Sequence, residues 1–132
     1  MSMLRLTNLT INRGKKILCR DLSLTIENGD YWAILGANGC GKTTLLHTMS
    51  GQHQPASGQI HLNETPLHAC HTRRIARAIG ILLQDTQHHF PQTVFEYCRA
   101  ARFPHLNLLT AHHHSPADLD ITTQALEIMQ LT

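Results

Sequence analysis

A chain of 132 residues is long enough for one domain with a modest hydrophobic core. Its 42% hydrophobic and 15% charged residues exclude the disordered and fibrous classes and indicate a soluble globular protein. The formal net charge of +2 is too small to indicate a nucleic-acid or anionic-membrane partner. No segment approaches the roughly 20 apolar residues needed to cross a bilayer.

The cysteines and the start of the chain indicate the cellular compartment. The four cysteines are widely separated, without a C-x-x-C pair, which favours reduced thiols over a disulfide framework. Residues 1–10 lack both a basic region and a long apolar stretch, so no signal peptide is visible. We therefore expect a cytoplasmic protein that reaches a membrane only through a partner.

The first part of the chain is rich in strand patterns. Residues 3–11 and 21–27 alternate apolar and polar side chains, which predicts two half-buried strands around the turn-rich residues 12–16. Asn28-Gly29 is typical of a hairpin turn and leads into the apolar run 31–35. That run predicts a strand buried on both faces, as in a parallel sheet.

A glycine-rich segment, residues 36–44, comes next. The helical pattern after it extends to Met49, and Gly51 is placed to end the helix. The apolar residues 79–83 predict a second buried strand, which ends at Gln84. Between these segments we predict a turn, a short strand and a helix at residues 55–58, 59–62 and about 71–78.

Two capped helices are predicted in the last third of the chain. Thr93 is followed three residues later by Glu96, a capping box that opens a helix to about Arg102. In Ser115-Pro116 the serine caps a second helix and the proline takes its first position, while Asp118 faces the positive helix end.

Residues 36–43 read G-A-N-G-C-G-K-T and match the phosphate-loop pattern G-x-x-x-x-G-K-[ST] at every position. The glycines allow positive φ, so that the backbone N–H groups and the helix N-terminus form a nest for anionic oxygens. Lys42 supplies a positive charge for the β- and γ-phosphates, and the Thr43 hydroxyl suits Mg²⁺. With a predicted strand before it and a helix after it, this pattern indicates a nucleoside triphosphate site, not a flexible surface turn. The predicted binding residues are Gly36, Ala37, Asn38, Gly39, Cys40, Gly41, Lys42, Thr43 and Thr44.

Beyond the generic pattern, the sequence resembles the ATPases of ABC transporters. Residues 36–46, G-A-N-G-C-G-K-T-T-L-L, look like their Walker A motif, and residues 22–31 resemble the strand–NG–strand entry before it. Gln84 follows a predicted strand at the spacing of the Q-loop glutamine. Residues 93–105 resemble the helix after the Q-loop in importers of iron–siderophore, haem and cobalamin type. The resemblance extends from about Leu4 to Thr132.

This resemblance implies the fold and the domain organisation. It implies an α/β P-loop NTPase with an N-terminal antiparallel β subdomain, the start of a helical subdomain and an incomplete sheet. Residues 1–84 would form the nucleotide-binding core with Walker A and the Q-loop glutamine. Residues 85–132 would form the Q-loop and the beginning of the helical subdomain.

The resemblance also implies ligands and partners. ATP and Mg²⁺ would bind, with Lys42 and Gln84 taking part in catalysis and Thr43 and Gln84 ligating the metal. Transmembrane permease subunits and, in the complete protein, a second copy would be partners, whereas nucleic acid would not. The protein would lie at the inner face of the cell membrane, bound through the permease, and energise import of an iron–siderophore or a related chelate.

Two departures from the family pattern change the expectations. Residues 10–14 contain no aromatic side chain to stack on adenine, which leaves open whether Arg13 stacks its guanidinium there or points to solvent. The 132 residues also contain no LSGGQ signature, no apolar strand ending in Asp-Glu and no later switch histidine. We therefore expect a portion truncated before the signature motif, which alone binds nucleotide weakly and does not hydrolyse it.

Two other functions stay open. One is a non-hydrolysing nucleotide-binding interaction module or remnant. The other is a soluble ABC-type ATPase without a permease, such as a translation or repair factor.

Three weaker signals favour structural interpretations. Eleven histidines are many for this length, but His88-His89 and residues 112–114 lack metal-ligand spacing and favour exposed loops. The small side chain of Cys40 suits the loop, which we prefer to redox control. The cluster Arg73, Arg74 and Arg77 favours a solvated helix face.

Overall fold

A computed structural model describes residues 2–82, 91–106 and 116–131. The chain divides into two compact units, Met1–Ile81 and Leu82–Thr132. The strands are β1 (Ser2–Arg13), β2 (Lys16–Glu27), β3 (Ser57–Leu62) and β4 (Thr65–Pro66). The helices are α1 (Lys42–Met49), α2 (Thr72–Ala78), α3 (Val94–Ala100) and α4 (Pro116–Ile128), with 3₁₀ turns at Leu67–Ala69 and Phe103–His105.

The first unit is built on a four-stranded antiparallel sheet in the order β2-β1-β3-β4. A tight turn at Gly14-Lys15 joins β1 to β2, which confirms the predicted pair of strands and the turn between them. Both strands are longer than predicted, because their pairing extends from Ser2 and Glu27 at one end to Arg13 and Lys16 beside the turn.

A bulge in β1 keeps its apolar side chains on one face. The buried positions are Leu4 and Leu6 and then Leu9 and Ile11, so they change from even to odd numbers. Asn8 lies at this change with a φ of +48°, and the pairing register shifts here toward both β2 and β3. An extra residue in a strand re-aims the side chains that follow it. The bulge therefore directs all four apolar side chains into one core.

The core of the first unit lies on this face of the sheet, where α1 and α2 cover it. Thr48 of α1 is fully buried, and its hydroxyl donates to the carbonyl oxygen of Thr44 at 2.8 Å, so its polar atom is paired. The buried apolar residues are Leu4, Leu6, Leu9, Ile11, Ile60, Leu62 and Leu67, and Leu18, Leu24, Leu45, Met49 and Ile75 pack against them.

The strand predicted over residues 31–35 is wrong. The Asn28-Gly29 turn forms, with the N–H of Asp30 donating to the carbonyl of Glu27 at 3.2 Å, but residues 30–37 have no regular structure. Leu35 is 90% exposed. No strand among the described residues pairs with this segment, and a lone strand leaves its backbone N–H and C=O groups without sheet partners. The apolar run is therefore irregular, and residues 30–37 do not form a strand leading into the phosphate loop.

The second predicted buried strand, residues 79–83, is not observed either. Residues 79–82 have no regular structure, and Leu82 is 90% exposed. The same lack of a neighbouring strand in the described part of the chain explains this result. Leu83 and Gln84 lie outside the described residues.

The second unit contains the two predicted helices, α3 and α4. The Thr93 hydroxyl accepts from the Glu96 N–H at 3.2 Å, and the Glu96 carboxylate accepts from the Thr93 N–H at 2.8 Å. The predicted capping box is thus confirmed, although α3 ends at Ala100. In the first turn of α4, the buried Asp118 carboxylate accepts from Nε and Nη2 of Arg102, each at 2.9 Å. Ser115, the predicted cap of α4, lies outside the described residues.

Over residues 2–82, 91–106 and 116–131, no helix is both long and apolar enough to span a bilayer.

The buried face of β1 gives a first prediction. Leu6 is 1% exposed and lies between Leu24 of β2 and Ile60 of β3. Leu6→Ala removes buried apolar surface and leaves a cavity, so we expect the free energy of unfolding to fall by about 2–5 kcal/mol in urea titrations. The matched change Leu46→Ala, at a side chain 45% exposed, should alter it by less than about 0.5 kcal/mol. Equal stability of the two variants would contradict this assignment of the core.

The capping box gives a second prediction, on pH. Hydrogen bonds from the Thr93 N–H and then its hydroxyl lower the pKa of Glu96. A carboxylate with a lowered folded-state pKa stabilises the helix above its ordinary pKa and loses that effect as pH falls through the lowered value. We expect the protection factors of the α3 amides, which compare their hydrogen exchange with that of an unstructured chain at the same pH, to fall on acidification, with a smaller pH dependence in Glu96→Gln. Glu127→Gln on α4 is the control and should behave like the unmodified chain.

Candidate functional site

The phosphate loop runs directly into α1. The N–H of Cys40 donates to the carbonyl of Ala37 at 3.3 Å, which closes a turn in which Gly39 has a φ of +76°. Gly41 precedes the helix at φ +112°, and its carbonyl accepts the Leu45 N–H at 2.9 Å, the first bond of the helix. The helix therefore begins inside the motif, at Lys42, whereas the sequence predicted its start after residue 44.

Two glycines of the loop are in close contact with side chains. A Cβ on Gly41 would lie 3.0 Å from the Cβ of Leu18 on β2, and its φ is one that other residues rarely adopt. A Cβ on Gly36 would lie 2.8 Å from Sγ of Cys40. The end of the loop, at Gly41, thus packs on β2. Near the start of the loop, Gly36 packs against the side chain of Cys40.

The Lys42 side chain reaches back across the loop. Its Nζ donates to the carbonyl oxygens of Gly36 at 2.7 Å and Ala37 at 2.9 Å. Neither acceptor is charged, and no carboxylate of the described residues forms an ion pair with this lysine. Hydrogen bonds to an anionic oxygen are stronger than those to a neutral carbonyl. The ammonium is therefore able to exchange these carbonyls for an anionic ligand.

A concavity of about 590 Å³ lies between the β1–β2 hairpin and α1. It is lined by Arg13 from the hairpin and by Thr43 and Thr44 from α1, so it brings the predicted base contact and two residues of the predicted phosphate loop together. Its volume falls within the range of small-molecule sites. The other lining residues are Ile11, Asn12, Gly14, His47, Thr48, His53 and Gln54.

The lining has an electrostatic preference. It includes the positive charge of Arg13, and none of its described residues is an aspartate or glutamate. A cavity lined by groups of one sign raises the local concentration of oppositely charged ligands. This composition favours an anionic ligand. Arg13 lines the hairpin side of the concavity, and Thr43 and Thr44 line its α1 side.

Several predicted residues are not part of this lining. The loop residues 36–42 contact one another and β2 instead, with Lys42 held on the carbonyls. Gln84, predicted to ligate magnesium and take part in catalysis, lies outside the described residues.

Among the lining residues that the sequence predictions missed are two histidines, His47 and His53. His47 follows Thr43 by four residues, so helical periodicity alone places both on one face of α1. His53 has no comparable signal. It reaches the concavity because the chain folds back after α1, where its N–H donates to the His47 carbonyl at 3.2 Å.

The remaining histidines and cysteines do not form a metal site in the part of the chain that is described. No group of three or more metal-ligating side chains occurs within residues 2–82, 91–106 and 116–131. The cysteines Cys19, Cys40, Cys70 and Cys98 are free thiols. His88, His89 and His112–His114 lie outside the described residues.

Comparison with known proteins shows which family has this loop and sheet. A family model described as ABC transporter matches residues 19–131. The chain belongs to the ABC transporter family. The hemin import ATP-binding protein HmuV of Burkholderia ambifaria is 39% identical over 133 residues, covering 95% of this chain and 48% of that protein. The ferric enterobactin transport ATP-binding protein FepC of Escherichia coli is 33% identical, covering 100% of this chain and 48% of that protein.

Solved structures of ABC transporters have the same fold. One, described as an inward-facing metal-chelate type ABC transporter, gives a TM-score of 0.80 at 27% identity, over 100% of this chain and 47% of that one. A nucleotide-free ATP-binding cassette gives 0.77 at 21% identity, covering 99% and 55%, which shows the fold alone. The predicted family and fold class are confirmed. The chain spans about half the length of the curated relatives it matches.

The contact across the loop gives a third prediction. Gly36→Ala forces Cys40 to move, because the new methyl group would lie 2.8 Å from its sulfur, and we expect a loss of roughly 1 kcal/mol in the free energy of unfolding. Adding Cys40→Ala removes the clash and should restore most of that loss. Cys40→Ala should not rescue Gly41→Ala, whose methyl group meets Leu18. If Gly36→Ala and the double variant with Cys40→Ala lost equal stability, that result would contradict the contact between Gly36 and Cys40.

Proposed function

We propose that this chain is the MgATP-binding portion of an ATP-binding subunit that energises an ABC importer of an iron chelate or haem. The observation that carries the nucleotide part is the geometry of Lys42, whose ammonium spans the phosphate loop on two neutral carbonyls. A triphosphate offers this cation anionic oxygens in their place. The family membership and the names of the relatives support the transport part.

The described residues fit a nucleotide. The loop ends at the N-terminus of α1, an eight-residue helix whose first N–H groups are free of intrahelical partners and suit phosphate. The concavity next to it is large enough for a small ligand and has a cationic wall at Arg13. We propose that residues 36–44 hold the phosphates and that Arg13 contacts the base.

The residues also fit magnesium. Thr43 lies in the first turn of α1, is exposed and lines the concavity, so its hydroxyl is accessible to a cation beside the phosphates. We propose Thr43 as one ligand and Gln84 as another. When bound, magnesium neutralises charge on the phosphate oxygens.

The two parts of the chain have separate proposed roles. Residues 1–84 would be the nucleotide-binding core, and residues 85–132 would begin the helical subdomain that responds to it. The division into compact units after Ile81 supports this assignment. The proposed partners are permease subunits and a second copy of the complete protein, at the inner face of the membrane.

The 132-residue chain should bind nucleotide without turning it over. The sequence contains no signature motif and no Asp-Glu after an apolar strand, so the proposed hydrolysis requires groups that these residues do not supply. Lys42 and Gln84 would take part in hydrolysis only in the complete site.

The geometry of Lys42 gives a fourth prediction. Lys42→Ala removes the only cation of the loop, and we expect ATP affinity, measured by calorimetry with magnesium, to fall by at least about tenfold. Lys16→Ala has the same charge change on β2, outside the concavity, and should retain most of the affinity.

Two results would contradict the proposal. If Lys42→Ala bound ATP as tightly as Lys16→Ala, the loop would not hold the phosphates. Steady phosphate release by the pure chain that was lost in Lys42→Ala would contradict the expected lack of turnover.

A further inference from the structure

We infer that the imidazoles of His47 and His53 form the surface that contacts the nucleobase in the concavity between the β1–β2 hairpin and α1. The inference deepens the proposed nucleotide binding and rests on it. It assigns base recognition to a pair of side chains that neither the loop pattern nor the family match singles out.

The two imidazole rings are in edge-to-face contact. Their centroids are 5.5 Å apart and their planes make an angle of 61°, an edge-to-face arrangement. Both residues line the concavity that contains Arg13, Thr43 and Thr44. The pair therefore lies at the ligand-sized space itself.

The backbone around His47 holds the pair in place. Its carbonyl accepts from the N–H groups of Gln52 at 2.9 Å and His53 at 3.2 Å and from the Ser50 hydroxyl at 3.0 Å. Three donors on one carbonyl bring the loop after α1 back onto the helix. His53 is thereby positioned by the residue whose ring it contacts.

The His47 ring is also fixed by its side-chain partner. Its Nδ1 is hydrogen-bonded to Oε1 of Gln52. An amide oxygen only accepts, so with this amide orientation Nδ1 carries the hydrogen and Nε2 of the neutral ring remains an acceptor. The ring thus retains both an aromatic face and a polar atom, the two features that contact a base.

The position of the pair along α1 matches the base end of a nucleotide. His47 follows Thr43 by four residues, which is about 6 Å along the helix axis, away from the phosphate end. Arg13 lines the hairpin wall of the same concavity. Bases stack on imidazole and guanidinium planes without strong sequence preference. A flat purine between these two walls would contact both.

The experiment compares two ligands that share phosphates and differ in the base. ATP and inorganic tripolyphosphate are titrated into the 132-residue chain by calorimetry at one fixed free Mg²⁺ concentration. We expect His53→Ala and His47→Gln to weaken ATP binding roughly fivefold and to leave tripolyphosphate binding within about twofold. His68→Ala is the matched control, because His68 is exposed on the same unit and does not line this concavity. It should leave both affinities unchanged.

A direct contact is visible by NMR. The Cε1–H signal of His53 is identified as the one that is missing from the spectrum of His53→Ala. In the unmodified chain, this signal should shift when ATP is added and should not shift when tripolyphosphate is added. The His53 side chain is exposed, so His53→Ala retains the fold. The data for His53→Ala therefore test the base-contact inference even if His47→Gln is unstable. Thermal unfolding of each variant checks this.

The outcomes distinguish a failure of the base-contact inference from a failure of the proposed nucleotide site. Unchanged ATP affinity in His53→Ala, or equal loss of both ligands, overturns the base-contact inference and leaves the phosphate site intact. Failure of the unmodified chain to bind either ligand contradicts the proposed nucleotide site, and the inference with it.

Discussion

The contact between Gly41 and Leu18 determines where the phosphate loop meets the sheet. With no side chain, Gly41 lets the loop end directly on β2, at a left-handed φ that begins α1 there. The start of α1 and the tip of the β1–β2 hairpin then enclose the concavity between them. The buried side chain of Thr48 and the apolar residues Leu45 and Met49 pack α1 on the core. The candidate site is thus a consequence of one close backbone approach.

The charged groups of the loop and the concavity determine which kind of ligand this geometry favours. The ammonium of Lys42 is satisfied by two loop carbonyls, an arrangement that a ligand with negative oxygens can replace without first breaking an ion pair. Arg13 and the two histidines extend a lining without carboxylates away from the loop. The proposed functions along this surface therefore differ by position, with phosphate at the loop and base at the hairpin and the end of α1.

Sheet pairing explains the two wrong strand predictions. Residues 31–35 and 79–83 have the apolar composition of buried parallel strands, and composition alone favours that interpretation. A strand forms only where neighbouring strands pair with its backbone, and the described part of the chain offers none beside these segments. By contrast, β1 exceeds its predicted length because it has a partner on each side, β2 and β3.

The sequence by itself determined the features that depend on local backbone chemistry. The phosphate loop, the helix that follows it to Met49 and the Thr93–Glu96 capping box each follow from residue types a few positions apart. Tertiary structure alone decided which distant residues meet. It moved the buried positions of β1 at Asn8, placed Arg13 opposite Thr43 and brought His53 onto His47. These contacts depend on strand register and on packing between elements, and both are set by the whole core, so no short pattern specifies them.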